Sequence, residues 1–196
     1  MSAALLETLA VSTGVVALGE IGDKTQLLAL LLAARFRRPW PIVCGILVAT
    51  LANHSLAAAL GTWITRWVDP AVLRWVLGGS FIAVAVWMLV PDRIEAGEKH
   101  DAGRAGAWTV FSVTTFAFFL AEMGDKTQVA TVMLAARYDA LVAVTAGTTL
   151  GMMIANVPAV WLGEAAVKRL PAQLVHRIAA VVFAAIGVAV LAGVGA

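Results

Sequence analysis

The sequence holds one cysteine, Cys44, and no Cys-x-x-Cys pair, which excludes an internal disulfide and dithiol redox chemistry. Charge is also scarce. Only 13% of the 196 residues are charged, where a soluble domain carries about 25%. The net charge of +2 is too small to suggest a nucleic-acid partner. No basic n-region precedes the first apolar stretch, which therefore reads as a retained span and not a cleaved signal peptide. Apolar residues dominate instead, at 61% with a mean hydropathy of +0.90. Runs of about 20 such residues recur along the whole chain, as in a polytopic helical membrane protein.

Six apolar segments can be drawn, at about Leu5–Ala34, Trp40–Trp63, Ala71–Val90, Ala107–Ala136, Ala140–Leu162 and Gln173–Ala192. At about 1.5 Å per residue the first and fourth would be some 45 Å long, against a hydrocarbon core of about 30 Å. They must tilt, kink or protrude, and Gly19, Gly22 and Gly124 are natural places for a break. Pro39, Pro41, Pro70, Pro91 and Pro171 fall between segments, while Pro158 lies inside the fifth and is expected to kink it. The seven tryptophans fall near segment ends, where an interfacial belt would place them.

Ionisable residues occur inside two of these segments, in one spelling. Glu20-Ile21-Gly22-Asp23-Lys24-Thr25-Gln26 returns 102 residues later as Glu122-Met123-Gly124-Asp125-Lys126-Thr127-Gln128. Each charged group near a bilayer centre costs roughly 3 kcal/mol, so six represent a gross penalty on the order of 15 kcal/mol before pairing. From Glu20 to Phe36 and from Glu122 to Tyr138, 10 of 17 positions are identical. At the same offset Ser12-Thr13 faces Thr114-Thr115, Gly45 faces Gly147, and Gly61 faces Gly163. The expected fold is therefore all-α: six transmembrane helices in two three-helix repeats, 1–91 and 106–196, joined by a linker at 92–105. Three spans per repeat is an odd number, so the repeats enter the membrane in opposite directions.

Basic residues give the orientation. Arg35, Arg37, Arg38, Arg93, Lys99, Arg104, Lys168, Arg169 and Arg177 belong to one side, and only Arg66, Arg74 and Arg137 to the other. Nine against three puts both termini outside and the 92–105 linker in the cytoplasm, with the chain in the cell (inner) membrane. Asp92, Glu95, Glu98 and Asp101 alternate with bases there, as in a solvated connector.

In a regular helix Glu20 and Asp23 share a face, as do Glu122 and Asp125. Asp23 precedes Arg35 by twelve residues, about 18 Å of helix, and Asp125 precedes Arg137 by the same count from the opposite side. Both motifs thus reach the midplane, where four carboxylates would face one another. Four like charges in low dielectric do not all stay ionised without compensation. With Lys24 and Lys126 the cluster carries −4 + 2 = −2, which one divalent cation or two protons would neutralise. Competition of that kind is the basis of an antiporter. The motif offers carboxylate, amide and hydroxyl oxygens and no His or Cys, a set that suits Ca²⁺, Mn²⁺ or Mg²⁺ over Zn²⁺ or Cu⁺. The plainer alternative is that Glu20–Lys24 and Glu122–Lys126 are i,i+4 ion pairs that merely hold helices together.

E-x-G-D-K-[TS] twice, in two halves of three spans, resembles the cation/proton antiporters that include Golgi calcium and manganese exchangers, chloroplast manganese carriers and bacterial manganese exporters. The resemblance implies that Glu20, Asp23, Glu122 and Asp125 bind the cation, and that Mn²⁺ or Ca²⁺ is exchanged for H⁺. Without the extra N-terminal span or targeting segment of organellar members, the chain looks like a bacterial version. Lys24, Thr25, Gln26, Lys126, Thr127 and Gln128 are expected to support the site. Asn53 and Asn156, deep in the second and fifth spans, are expected beside the cation or lining its path. His54 is either a proton-relay group or a packing residue. Ser12, Thr13, Thr114 and Thr115 could line the route or bond backbone carbonyls, and Gly147-x-x-x-Gly151 reads as close helix packing. The expected function is export of a divalent cation, Mn²⁺ or Ca²⁺, against protons, with the bilayer as surroundings and no prosthetic group. The rival readings are a cation channel, an intramembrane hydrolase using paired carboxylates, and an exporter of another small solute.

Overall fold

The computed structural model describes residues 3–90, 105–162 and 172–193, whose secondary structure is entirely helical. The eight helices among them are α1 (Ala3–Glu20), α2 (Lys24–Phe36), α3 (Pro39–Ile64), α4 (Pro70–Trp87), α5 (Ala107–Glu122), α6 (Lys126–Tyr138), α7 (Leu141–Leu162) and α8 (Ala172–Leu191). Proline sets several starts: Pro39 and Pro70 each open a helix, where a missing N–H costs nothing. Asp69 caps α4 by accepting the Ala71 N–H at 2.8 Å. Arg37 and Asp139 close α2 and α6 in the left-handed conformation, with φ of 51° and 46°.

The two long segments are broken. α1 stops at Glu20 and α2 starts at Lys24; α5 stops at Glu122 and α6 starts at Lys126. α5 and α6 meet at 72°. Gly22 and Gly124 supply the reversal, with φ of 84° and 75°, a region that L side chains adopt only at a cost. The face-sharing expected of Glu20 with Asp23, and of Glu122 with Asp125, is thereby corrected: no helix runs through either pair. α1, α3, α4, α7 and α8 are long and apolar enough to cross a membrane, and the bent α5–α6 pair, taken as one span, makes a sixth. The chain is a multi-pass membrane protein. α7 continues through Pro158 without interruption.

α3 and α7 are the most enclosed spans, and α4 and α8 the most peripheral. α1 packs on α7 and α5 on α3; α2 packs on α7 and α6 on α3. Exchanging the halves maps each of these contacts onto another, a pattern compatible with inverted repeats. Glycines set the close approaches. A Cβ on Gly45 would lie 2.8 Å from the Thr114 Cβ, and one on Gly147 would lie 2.8 Å from the Ser12 Cβ. α4 and α8 depart from the exchange. They pair with each other, α4 resting also on α6 and α8 on α1, without comparable packing on α5 or α2. All seven tryptophans are exposed on the protein surface, as lipid or interfacial contact requires. The linker acids and the bases Arg93, Lys99, Arg104, Lys168 and Arg169 lie outside the described residues, as do Pro91, Gly163 and Pro171.

The α1–α7 seam gives a direct test. A Cβ on Gly151 would meet the Thr13 carbonyl oxygen at 2.5 Å and the Ala17 nitrogen at 2.9 Å. Backbone atoms cannot swing away, so the helices must part. Gly151→Val is expected to lower stability by about 1–3 kcal/mol or more, read as an earlier thermal transition in detergent. Gly14→Ala, whose Cβ meets nothing within 4 Å, should leave the transition unchanged or slightly later.

Candidate metal centre

Each helix break is organised by the residues of its own motif. Asp23 is the N-cap of α2 and Asp125 of α6, yet neither carboxylate makes a capping hydrogen bond. That role passes to the glutamines. Gln26 Oε1 accepts the Gly22 N–H at 2.9 Å and Gln128 Oε1 accepts the Gly124 N–H at 2.7 Å. The reach resembles a capping box, with the side chain of the third helical residue turned back on the chain entering the helix. Both aspartates are thereby left for other partners, at helix N-termini whose dipoles favour negative charge.

Those partners cross between the halves. Lys24 Nζ lies 2.8 Å from Asp125 Oδ1, and Lys126 Nζ lies 3.8 Å from Asp23 Oδ1. The Glu20–Lys24 and Glu122–Lys126 pairs of a continuous helix are replaced by pairs that tie one repeat to the other. Thr25 Oγ1 donates to Glu20 Oε2 in a short hydrogen bond, and Thr127 Oγ1 donates to Glu122 Oε2 at 3.4 Å.

Glu20, Glu122 and Asp125 each offer an oxygen within 4.8 Å of the other two, and all three are buried. Asp23 falls outside that group of three, so the expected ring of four carboxylates is a close trio with Asp23 held to one side. Among the described residues, Glu20 Oε1, Glu122 Oε1 and Asp125 Oδ2 are buried without a hydrogen-bond partner. Buried acceptors in this number are costly unless a cation or proton meets them. The donor set is oxygen-rich and anionic, which fits a hard divalent ion.

α3 and α7 supply the surrounding polar groups. Asn53 donates from Nδ2 to the Phe119 carbonyl at 2.9 Å, and Asn156 to the Met152 carbonyl at 3.1 Å; each Oδ1 is buried without a hydrogen bond. Gln26 Nε2 donates to the Ala155 carbonyl at 2.9 Å, fastening α2 to α7. His54 is fully buried, with Nε2 3.6 Å from Glu122 Oε2. Thr13 donates to the Gly147 carbonyl at 3.0 Å and Thr115 to the Phe111 carbonyl at 2.9 Å, so both bond backbone. Ser12 and Thr114 are buried against the facing glycines, without a hydrogen bond from either hydroxyl oxygen.

The two motifs differ in cover. The Lys24 side chain is 34% exposed and that of Lys126 only 2%. The chain just past α4 lies against the more covered side: Lys126 Nζ is 3.5 Å from the Val90 carbonyl oxygen, and a Cβ on Gly19 would touch Met88 Cε at 3.0 Å. Sequence spacing gave no sign of Val90 or Met88 as site neighbours. The 102-residue offset does pair His54 with Asn156, so an asymmetric imidazole in α3 was visible, though not the group it faces.

The family model described as "Divalent cation/proton antiporter GDT1" matches residues 8–96 and 110–195, which include both motifs. A Vibrio cholerae protein named "Putative manganese exporter" is 48% identical over 180 residues, covering 91% of this chain and 88% of the relative. A GDT1-like protein of Synechocystis is 32% identical, over 86% of this chain and 88% of the relative. A rice protein named GDT1-like protein 3 is 26% identical, over 91% and 71%. No solved structure matches.

Proposed function

Because the chain belongs to the divalent cation/proton antiporter family, whose members are transporters and not enzymes, we propose that it exports Mn²⁺ from the cytoplasm in exchange for protons. The exchange takes place at the carboxylate centre formed where the two broken spans meet. The observation that carries this reading is the trio Glu20, Glu122 and Asp125, drawn from both halves and buried with an unbonded oxygen on each. Likeness to the named Vibrio cholerae relative supports Mn²⁺ as the cargo.

The charge count supplies the coupling. Four carboxylates and two lysines sum to −2, so the centre is neutral with one divalent ion or with two protons, and the two loads exclude each other. Lys24 and Lys126 act as tethered cations. Each holds an aspartate of the opposite half and yields part of that contact when an ion binds. The unequal cover of the two lysines is what one end-state of an alternating cycle requires, with α4 and α8 as the elements that change sides. A channel needs no such inequality. The orientation follows the nine-to-three distribution of bases: both termini outside, residues 1–91 and 106–196 as opposed halves, and the chain in the inner membrane.

Membrane vesicles turned inside out, with the cytoplasmic face outward, test this directly. Acidifying their lumen should drive Mn²⁺ inward, with loss of the pH gradient in step with the Mn²⁺ gained. Mn²⁺ flux that leaves the pH gradient untouched and sets up a full diffusion potential would mark a channel and defeat the proposal.

A further inference from the structure

We propose that His54 is a nitrogen ligand in the cation site, and that its imidazole biases the site toward first-row transition ions over Ca²⁺ and Mg²⁺. The inference rests on the transport reading above and adds to it the group that sets ion preference. The motif itself offers only oxygens, a set that separates Mn²⁺ from Ca²⁺ poorly. His54 stands outside the motif, on α3, and is brought to it by the packing of α3 against α5 and α6.

Three observations carry the point. His54 is 0% exposed, and neither ring nitrogen finds a hydrogen-bond partner among the described residues. Its Nε2 is 3.6 Å from Glu122 Oε2, itself one of the clustered carboxylates. Two atoms bound to an ion at about 2.2–2.5 Å lie roughly 3–5 Å apart, so the pair is spaced to share one. The imidazole is also unmatched: Asn156 occupies the equivalent place in the second half. A packing histidine would fill its hydrogen-bonding capacity with a carbonyl or hydroxyl. This one turns a ring nitrogen to an acid whose other oxygen is also unbonded.

Imidazole in place of an oxygen or water favours transition ions, because nitrogen is the softer donor and Ca²⁺ and Mg²⁺ gain little from it. His54→Asn and His54→Gln should therefore lower the preference for Mn²⁺ over Ca²⁺ by about tenfold or more. The readout is competition of Ca²⁺ with Mn²⁺ uptake in proteoliposomes. Mn²⁺ bound to the purified protein should show, by pulsed electron paramagnetic resonance, coupling to one directly bound nitrogen that both variants lose. Asn is the residue used at the equivalent place in the other half, and Gln is a second, longer replacement, so at least one folded variant is expected. An unchanged Mn²⁺-to-Ca²⁺ ratio, a parallel fall for both ions, or no bound nitrogen in the wild type would each overturn the inference while leaving transport standing. Wild-type protein that binds no Mn²⁺, or binds it undiminished after Asp125→Asn, would instead overturn the transport reading beneath it.

Discussion

Glu122→Gln is expected to reduce Mn²⁺ transport at least about a hundredfold, because it takes one formal charge from the ligand set of a hard ion. The protein should still insert and fold. Gln keeps the shape of Glu, and its amide oxygen can still accept from Thr127 Oγ1. Glu20→Gln should behave alike, with Thr25 as its remaining donor. Asp125→Asn adds the loss of the Lys24 contact, so its effect should equal or exceed the others. Asp23→Asn separates two accounts. Asp23 stands outside the close trio, so Mn²⁺ binding should survive better than in the other three variants. Transport should nonetheless fall, because exchange of the halves during the cycle gives Asp23 the place that Asp125 holds here. Radiometric uptake into proteoliposomes, with size-exclusion profiles as the folding control, reads all four. Wild-type rates in Glu122→Gln would remove Glu122 from the site.

The two motif lysines should differ strongly in what they contribute to stability. Lys126 is 2% exposed beside an equally buried Asp23, so its removal takes the cation from an ion pair in a dry setting. Breaking such a buried pair costs about 3–5 kcal/mol. Lys24 is 34% exposed, so water already shares its ammonium, and although its partner Asp125 is only 2% exposed the loss should be the smaller of the two. Lys126→Met is thus expected to lower the thermal transition in detergent well below that of Lys24→Met. Adding Asp23→Asn to Lys126→Met should restore much of the loss, since an amide needs no counter-charge. Equal losses from the two lysine variants would contradict the unequal cover of the two side chains.

Much of this arrangement was legible in the sequence, for physical reasons that can be named. A 30-residue apolar stretch exceeds the hydrocarbon thickness, so breaks at Gly22 and Gly124 followed from length and from glycine's access to positive φ. The repeat spelled out which residues would be equivalent, and the glycine contacts Gly45 to Thr114 and Gly147 to Ser12 are equivalent in space. The ion pairing was not legible. Spacing of four favours Glu20 with Lys24 only while a helix is continuous, and the break re-aims Lys24 at Asp125 across the repeat boundary. Nor did depth along α3 say which way His54 faces, because all sides of a central span are apolar enough to be buried. The contact of Lys126 Nζ with the Val90 carbonyl oxygen, just past α4, is likewise tertiary and has no local signal.

The central claim is that protons and one divalent ion compete for the same carboxylates, and proton release on Mn²⁺ binding tests it most directly. Calorimetric titration of the purified protein with Mn²⁺, in two buffers of different ionisation enthalpy, counts the protons displaced per ion bound. At acidic pH, where the free site is protonated, the count should approach two per Mn²⁺, and affinity should fall as pH drops. The count should shrink toward zero as pH rises and the site empties of protons before the metal arrives. Binding that releases no protons and keeps one affinity from acid to neutral pH would contradict the account.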